Sequence, residues 1–552
     1  MTLKEFLRKK ILGFLGLSKD TTPDKNKLTF INDTEQLTKA KLSEYNVWYY
    51  GDGDELLNFY TRGNMFTFNT EPYYSRNKRN YFWSVSSTEN DIKRTHSGQP
   101  RNIVDTLVMI TRYPVISIDG KDTNSLLQTI LKDCKLKNLY KNQQLPLTLV
   151  EGWGCYKINY DKDISEYPYV LYYRAENVDF VVKSGRIMGC IFKDYYTDGE
   201  NKNYLLIETR SLKYDASADI KYLEITKEVF TSDKTGNFVT AVPFEEFQNI
   251  PELAGLQKDD IYIRIDNMDC LLAVPTILFE NVSNNFGYGR SIFTGKIDLF
   301  DDLDQCLSQS SNAVRRSTPA EYFNSDYLER DPKTGMPKQP KAYDRKYVVV
   351  NGQRDADGAS KSSEPVQVTQ PAINFEQYSE QAVQILMQIL NGVMSPATLG
   401  IDIAKKDNAE AQREKEKVTI FTRNAIIDSE TDILKDLCEQ LLYAYQLMHE
   451  GTITERKYSI TVKFSEFADD SYENKLEVLG AAFDNELLSE TMFMDKLYGQ
   501  TLSEEEYEKE KKWLKEHHTK PRDEGMQGWM AGKMTPQPNA KGVEQFDFDE
   551  EL

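Results

Sequence analysis

Histidine is scarce in this chain of 552 residues, which contains only His96, His449, His517 and His518. Serine hydroxyls such as those of Ser362–Ser363 therefore have no obvious histidine partner for nucleophilic catalysis. No catalytic constellation can be recognised in the sequence. We expect a protein that is not an enzyme and that uses no cofactor and no metal ion.

Cysteine pairs of the Cys-x-x-Cys type are also missing, although the chain contains 6 cysteines. Scattered cysteines in a chain of this length indicate free thiols in a reducing compartment. We expect most of them to be small buried side chains.

Long apolar runs are absent, and no stretch approaches the ~18 residues that span a membrane as a helix. The stretch 1–19 contains a short apolar patch and several charged residues, and no small-residue cleavage site follows the stretch. This pattern favours an amphipathic helix over a signal peptide. The protein is expected in the cytosol, or in a particle that assembles there.

Positive charge is in deficit, because 68 Lys and Arg stand against 87 Asp and Glu, for a formal net charge of −19. A protein that holds DNA by counterion release needs a basic face. If DNA is a partner, we expect it to pass by this protein rather than to be held. The 33 Tyr and 26 Phe suit large cores or subunit interfaces.

The length of 552 residues predicts about three or four domains, and the hydrophobic pattern predicts an α+β chain. Between residues 145 and 265, runs rich in Val, Ile, Tyr and Phe alternate with turn signals, which predicts an antiparallel meander. Residues 319–371 contain two strand-like runs, KYVVV and EPVQVTQ, and the stretch YSITVKFSEF predicts one more strand. Helices are predicted at Arg101–Arg112, Thr123–Leu136, Ser291–Ser317, Ala372–Val393 and Ala409–His449, and as short acidic helices within 468–518.

The stretch FGYGRSIF places two glycines just before one of these helices. Gly-x-Gly before a helix begins many phosphate-binding loops, but the third glycine of a dinucleotide fingerprint and the lysine of a Walker loop are both missing here. We therefore interpret Gly287 and Gly289 as a joint that allows a sharp turn, with Ser291 near the start of the helix.

Four carboxylates follow in the same helix, at Asp298, Asp301, Asp302 and Asp304. Asp298 and Asp302 share a helix face, but no histidine lies nearby in the sequence, and a solvated acidic face is the favoured interpretation. The stretch Asp355–Gly358 resembles the start of a calcium loop, but no glutamate closes that loop at its twelfth position.

Several longer stretches carry a family likeness. They are IKRTHSGQPRNIVDTLV (Ile92–Val108), GWGCYKINYD (Gly152–Asp161), the strand-rich stretch Glu166–Tyr196, FGYGRSIFTGKIDLFDDLDQCLSQ (Phe286–Gln309) and LGIDIAKKDNAEAQREKEKVT (Leu399–Thr419). In this order they resemble the portal proteins of tailed bacteriophages, in the branch of siphophages that infect Gram-positive bacteria.

This resemblance implies a ring-forming portal fold, typically a dodecamer at one capsid vertex. Double-stranded DNA is pumped in, and later ejected, through its central tunnel. The implied regions are a wing of helices plus antiparallel strands (1–290 and 409–467), two stem helices (291–318 and 372–395), a small α/β clip (319–371), a tunnel loop (396–408), a helical crown (468–520) and a disordered acidic tail (521–552).

The resemblance also implies partners and sites. The partners are further copies of the chain, the passing DNA, the large terminase subunit, a head-completion or adaptor protein, the major capsid protein and a scaffolding protein. The expected location is the portal vertex of the virion, after assembly in the host cytoplasm.

Tunnel-loop candidates for brief phosphate contacts are Lys405, Lys406 and Asn408. Candidates for binding partners at the clip are Lys333, Lys338, Lys341 and Arg345, and the hinge into the stem is formed by Gly287, Gly289 and Ser291.

Two alternatives stay open at this point. The chain could be another structural protein of the virion, or a DNA-processing enzyme of the packaging machinery. A motor needs a Walker loop, and a nuclease needs convergent acids with a histidine or lysine; neither pattern is found in the sequence.

Overall fold

A computed structural model describes residues 35–61, 81–84, 92–161, 164–197, 203–232, 238–249, 253, 255–280, 287–317, 320–324, 328–336, 338, 346–350, 366–369, 375–401, 416–454, 456–465, 479–480, 483, 489–498 and 504–517. The chain divides into two compact units, Met1–Ser465 and Glu466–Leu552. The second unit begins close to residue 468, where the crown is predicted to start. The predicted tail, 521–552, and the N-terminal stretch 1–19 lie outside the described residues.

Helices open the described part of the first unit. They are α1 (Glu35–Tyr50), α2 (Gly53–Thr61), α3 (Gln99–Thr111), α4 (Lys121–Asp133), α5 (Leu136–Leu139) and α6 (Leu145–Glu151). The predicted helices at 101–112 and 123–136 are confirmed as α3 and α4. Glycine precedes α3, at Gly98 with φ 67°, and Pro100 occupies its first turn, as expected for a helix start.

Antiparallel sheets follow, and the predicted meander is confirmed. Its strands are β4 (Val178–Lys183), β5 (Arg186–Thr197), β6 (Asn203–Asp215), β7 (Ile220–Ser232) and β8 (Phe238–Ala241), in that order, with β9 (Tyr262–Asp266) also paired to β7. A second sheet has the order β10 (Ala273–Ile277), β2 (Trp153–Asn159), β3 (Tyr169–Arg174), and β1 (Val115–Ile118) pairs with β14 (Ile460–Lys463). The chain is therefore α+β.

Buried charges join the six-stranded sheet to the three-stranded sheet that contains β2. Lys157 on β2 lies 3.0 Å from Glu208 on β6, and Arg210 approaches the same carboxylate at 2.8 Å. Arg210 also donates to the carbonyl of Ile158, at 2.8 Å, and to the Asn159 side chain, at 2.7 Å. Burial opposes ionisation of Glu208, but the charges of Arg210 and Lys157 outweigh it and lower the pKa of Glu208 to about 2.

One long helix packs into the core of the first unit. It is α9 (Lys417–Glu450), and it ends at Gly451, whose φ is 71°. The predicted helix was to begin at Ala409, and residues 409–415 lie outside the described residues. The predicted apolar stripe is buried in its C-terminal half, where Leu434, Leu437 and Leu441 have no exposed surface. This half of the helix packs as an amphipathic core helix.

Two further helices lie before and after a small three-stranded sheet in the sequence. These elements are α7 (Ile297–Arg316), β11 (Ala320–Asn324), β12 (Lys346–Val350), β13 (Val366–Thr369) and α8 (Phe375–Leu390). Strands β12 and β13 are as predicted, whereas β11 was missed. It is the central strand, parallel to β12 and antiparallel to β13. Among the described residues of 319–371 there are strands and turns but no helix, so the helical part of the predicted α/β clip stays a prediction.

The second unit contains two described helices, α10 (Glu490–Tyr498) and α11 (Glu504–His517). A cluster of Phe493, Met494 and Leu497 forms its core, with Leu479 and Phe483 packed against it. In neither unit does a described helix have the length and apolar character that a membrane crossing demands.

Candidate functional site

The joint before α7 is built from glycines for two different reasons. Gly287 has φ 78°, and a Cβ atom there would lie 2.9 Å from Cγ2 of Val182. Both its backbone conformation and the space around it therefore require glycine. Gly289 has no positive φ, but its backbone lies directly against Gly152, so that an added Cβ would overlap the Gly152 carbonyl oxygen.

Backbone amides of this joint are bonded to protein carbonyls. The N–H of Arg290 donates to the carbonyl of Phe279 at 2.8 Å, and that of Ile292 donates to Leu149 at 3.1 Å. A phosphate loop turns such amides towards its ligand. Because these amides are already bonded within the protein, the geometry favours a structural joint over a phosphate site.

Tyr288, between the two glycines, fixes the joint further. Its side chain is 2% exposed and stacks on Trp153, with ring centroids 4.4 Å apart. Its hydroxyl donates to a carboxylate oxygen of Asp179 at 3.2 Å. The joint is thus packed against the buried side of the sheets rather than exposed at the surface.

Ser291 is not at the start of α7, and this part of the prediction was wrong. The helix begins at Ile297, with Lys296 as the preceding cap residue. Between Ser291 and α7 the chain forms turns that include Gly295, whose φ of 77° cannot continue a helix. Ser291 Oγ instead accepts a hydrogen bond from the backbone N–H of Phe293 at 3.0 Å.

Helices α7 and α8 run antiparallel. Near the start of α7, Lys296 Nζ donates to the carbonyl of Asn391, just beyond the end of α8, at 2.9 Å. Further along, the Cys306 thiol donates to the carbonyl of Tyr378, near the start of α8, at 3.4 Å. The two predicted stem helices are thereby paired, although α8 is shorter than the predicted span 372–395 and ends at Leu390.

The outer face of α8 is weakly charged and consists mostly of glutamines, with three exposed apolar side chains beside them; the glutamines are Gln377, Gln381, Gln384 and Gln388. Phe375 is 57% exposed, and Val383 and Met387 are each 43% exposed. The only charged residues of this helix are Glu376 and Glu380. Exposed apolar side chains grouped on one helix with few charges are typical of a surface that contacts another protein.

The solvated acidic face predicted for α7 is correct for two of its four carboxylates and wrong for the other two. Asp298 and Asp302 are exposed, but Asp301 is 3% exposed. Its carboxylate accepts hydrogen bonds from the backbone N–H groups of Phe82, at 2.7 Å, and Trp83, at 3.3 Å. Burial nevertheless raises the pKa of Asp301 to about 7.

Asp304, one turn later and fully buried, has three donors around it. Nδ1 of His96 lies 2.7 Å from Asp304 Oδ2, and the same oxygen accepts the indole N–H of Trp83 at 3.1 Å. The other oxygen accepts the backbone N–H of Ser97 at 2.8 Å. Asp301 and Asp304 therefore fasten the segments 82–83 and 96–97 onto α7.

Sequence reasoning missed this anchor, but a signal for it exists. Asp304 lies four residues after Phe300 and one after Leu303, both in the buried stripe of the helix. A carboxylate inside an apolar stripe is buried and needs donors. The partners, His96 and Trp83, are distant in sequence and could not be identified from spacing.

The predicted basic residues of the clip and the tunnel loop are mostly outside the described part of the chain. Lys333 and Lys338 are described, and both are exposed; Lys338 Nζ lies 3.2 Å from Glu329. The residues outside the description are Lys341, Arg345, Lys405, Lys406 and Asn408. The roles assigned to these residues therefore stay predictions.

The remaining chemistry of the described residues is sparse. No group of three or more His, Cys, Asp and Glu side chains within them is arranged to hold a metal ion. All six cysteines are free thiols, and Cys155, Cys190, Cys306 and Cys438 are buried, as predicted. No family model matches the chain, and a search of curated proteins found no match either.

Proposed function

We propose that this chain is the portal subunit of a tailed bacteriophage. In this role it assembles into a ring at one capsid vertex, through which double-stranded DNA enters during packaging and leaves during ejection. The ring also serves as the docking site for terminase and for head-completion proteins. The proposal rests on the ordered sequence resemblance together with the geometry of α7 and α8.

The observation that most supports this proposal is the antiparallel pair α7 and α8, with the strands of a small sheet between them in the sequence. The pair is anchored to the first unit at one end, through the joint at Gly287 and Gly289. The inserted strands β11, β12 and β13 belong to the segment that links the opposite ends of the two helices. A stem bearing a clip at its far end has this connectivity.

The outer face of α8 supports assembly with further copies of the chain. Phe375, Val383 and Met387 are exposed in the single subunit. In a ring, each subunit contacts the next through two different patches, and closure of the ring buries both. A surface of glutamines and three apolar side chains, with two acidic residues and no basic ones, suits such a heterologous contact.

The charge balance supports a conduit. With a net charge of −19, the subunit repels DNA over most of its surface, which prevents the passing strand from becoming trapped. Basic residues at a constriction, for which Lys405 and Lys406 are the candidates, would then contact phosphates briefly.

Electron microscopy of the purified full-length protein in negative stain tests the proposal. We expect rings with a central hole, and light scattering should give the mass of many subunits. Monomers under all conditions would count decisively against a portal. An assembly without a central hole would favour another structural protein of the virion.

A pair of charge substitutions tests the role of α8. Val383→Glu combined with Met387→Glu should prevent ring formation while leaving the folded subunit intact, as measured by circular dichroism and light scattering. The matched control is Met109→Glu, which places the same charge at a 67% exposed methionine on α3. Equal ring yields for both variants would remove α8 from the interface.

The tunnel contact has its own test. Lys405→Glu combined with Lys406→Glu should leave rings intact but lower the amount of DNA packaged per particle, because both charges that meet the phosphates are reversed. Unchanged packaging would refute the assignment of these lysines while leaving the ring proposal standing.

A further inference from the structure

A π-helical turn lies between α5 and α6, inside the core of the first unit. It covers Tyr140–Gln144, and such turns occur frequently at functional positions. It turns the buried side chain of Gln144 towards α9, where its Nε2 donates to Oε1 of Glu430 at 2.7 Å. Both residues have 0% exposure.

Four polar atoms of this region make no hydrogen bond to any described residue. They are Tyr140 Oη, Gln144 Oε1, Tyr156 Oη and Glu430 Oε2. They come from three elements, namely the π turn, β2 and α9, and each side chain is at most 1% exposed. Buried polar groups in folded proteins are almost always bonded, so a cluster of four needs an explanation.

The four residues belong to one region of the core, because Tyr140 and Gln144 lie in the same π turn, Gln144 is hydrogen-bonded to Glu430, and Tyr140 and Tyr156 belong to one buried cluster. Burial raises the pKa of both Tyr140 and Tyr156, and in each case the charge of Glu430 is the next largest cause. Tyr140 and Tyr156 also interact electrostatically with each other. Their neighbour Tyr172, by contrast, has its hydroxyl within 2.9 Å of Thr148 Oγ1.

We propose that Tyr140, Gln144, Tyr156 and Glu430 form an internal binding site for ordered water, with at least one molecule bridging the carboxyl group to the tyrosine hydroxyls. A water molecule both donates and accepts, as this set requires, because it contains two hydroxyls, an amide oxygen and a carboxyl oxygen. The inference is independent of whether the subunit forms a ring.

Water fits this site better than a metal cation. Burial raises the pKa of Glu430 to about 8, so that its carboxyl group is neutral at pH 7 and is a weak ligand for a cation. The positive charge of Arg423 also acts on Tyr140, and it would repel a second cation. A neutral carboxyl group can instead donate its proton to a water oxygen.

Removing one hydroxyl at a time gives opposite signs for a hydrated and a dry site. If a water molecule binds Tyr140 and Tyr156, then Tyr140→Phe and Tyr156→Phe should each lower the Tm of the full-length protein by about 2 °C. In a dry site, the same substitutions remove an unsatisfied polar group and should raise the Tm. Tyr172→Phe is the control. The Tyr172 hydroxyl lies within hydrogen-bond distance of Thr148, so its removal should lower the Tm whether the site is hydrated or dry.

A crystal or cryo-EM structure of the full-length chain, at a resolution that shows waters, tests the site directly. We expect a density peak within hydrogen-bond distance of Glu430 Oε2 and of at least one of the two tyrosine hydroxyls. Direct hydrogen bonds among the four groups, with no peak, would overturn the proposal. Melting in sodium, potassium and choline chloride should give one Tm, and a rise specific to sodium or potassium would replace water by a bound cation.

Discussion

Replacing Glu430 by glutamine should stabilise the protein, by an amount that grows with pH. In the unfolded chain this carboxyl group has a pKa near 4.5, whereas burial raises it to about 8 in the fold. Below pH 4.5 the group is neutral in both states and costs nothing. Between pH 4.5 and 8 only the unfolded state ionises, so each pH unit lowers the free energy of unfolding by about 1.4 kcal/mol. At pH 7 the accumulated cost is about 3 kcal/mol.

Glutamine has nearly the same shape, keeps the acceptor for Gln144 and cannot ionise. We expect Glu430→Gln to exceed the wild type in urea denaturation by about 1 kcal/mol at pH 5 and by about 3 kcal/mol at pH 7. The control is Asp432→Asn, an exposed carboxylate on the same helix, which should change stability little at either pH. A gain that is equal at pH 5 and pH 7, or a loss at pH 7, would refute the reasoning.

Three further predictions concern single residues. Gly289→Ala should destabilise the fold by about 3 kcal/mol, because its Cβ would overlap a backbone carbonyl, whereas Gly255→Ala, with open space around it, should be tolerated in the same urea titration. Asp304→Ala removes the buried acceptor shared by a histidine, an indole and a backbone amide, and should cost about 3 kcal/mol, against about 0.5 kcal/mol or less for exposed Asp302→Ala. Glu208, with its pKa lowered to about 2, contributes stability above pH 4.5 that is lost as the pH falls towards 2, so the advantage of the wild type over Glu208→Gln should shrink between pH 7 and pH 3.

Local pattern explains why much of the fold could be predicted. In five of the six strands of the largest sheet, β4 to β8, neighbouring strands are consecutive in sequence, so that turn residues fix most of the pairing. The turn between β4 and β5 is an example, because Ser184 has φ 51° and Gly185 has φ 76°, and a Ser-Gly pair in a sequence is typical of such a turn. The helices α3, α4, α8 and the C-terminal half of α9 follow from apolar spacing in the same way.

Long-range partners explain what could not be predicted. The strand β11 has the unremarkable sequence AEYFN and becomes a strand because β12 and β13 pair with both of its edges. Asp301 resembles any exposed helix carboxylate until the backbone of Phe82 and Trp83 is seen to lie over it. In these cases the deciding contact comes from a part of the chain that sequence spacing does not identify.

The glycines before α7 show how the same residue type serves two opposite purposes. Backbone freedom was the predicted role of both, and it applies to Gly287, whose φ is positive. Gly289 needs only the missing side chain, because it packs against Gly152. Any rotation of α7 about this point would break that contact, the stacking of Tyr288 on Trp153 and two backbone hydrogen bonds at once. Since these contacts are formed together and are buried, the geometry favours a fixed joint over the hinge that the sequence predicted.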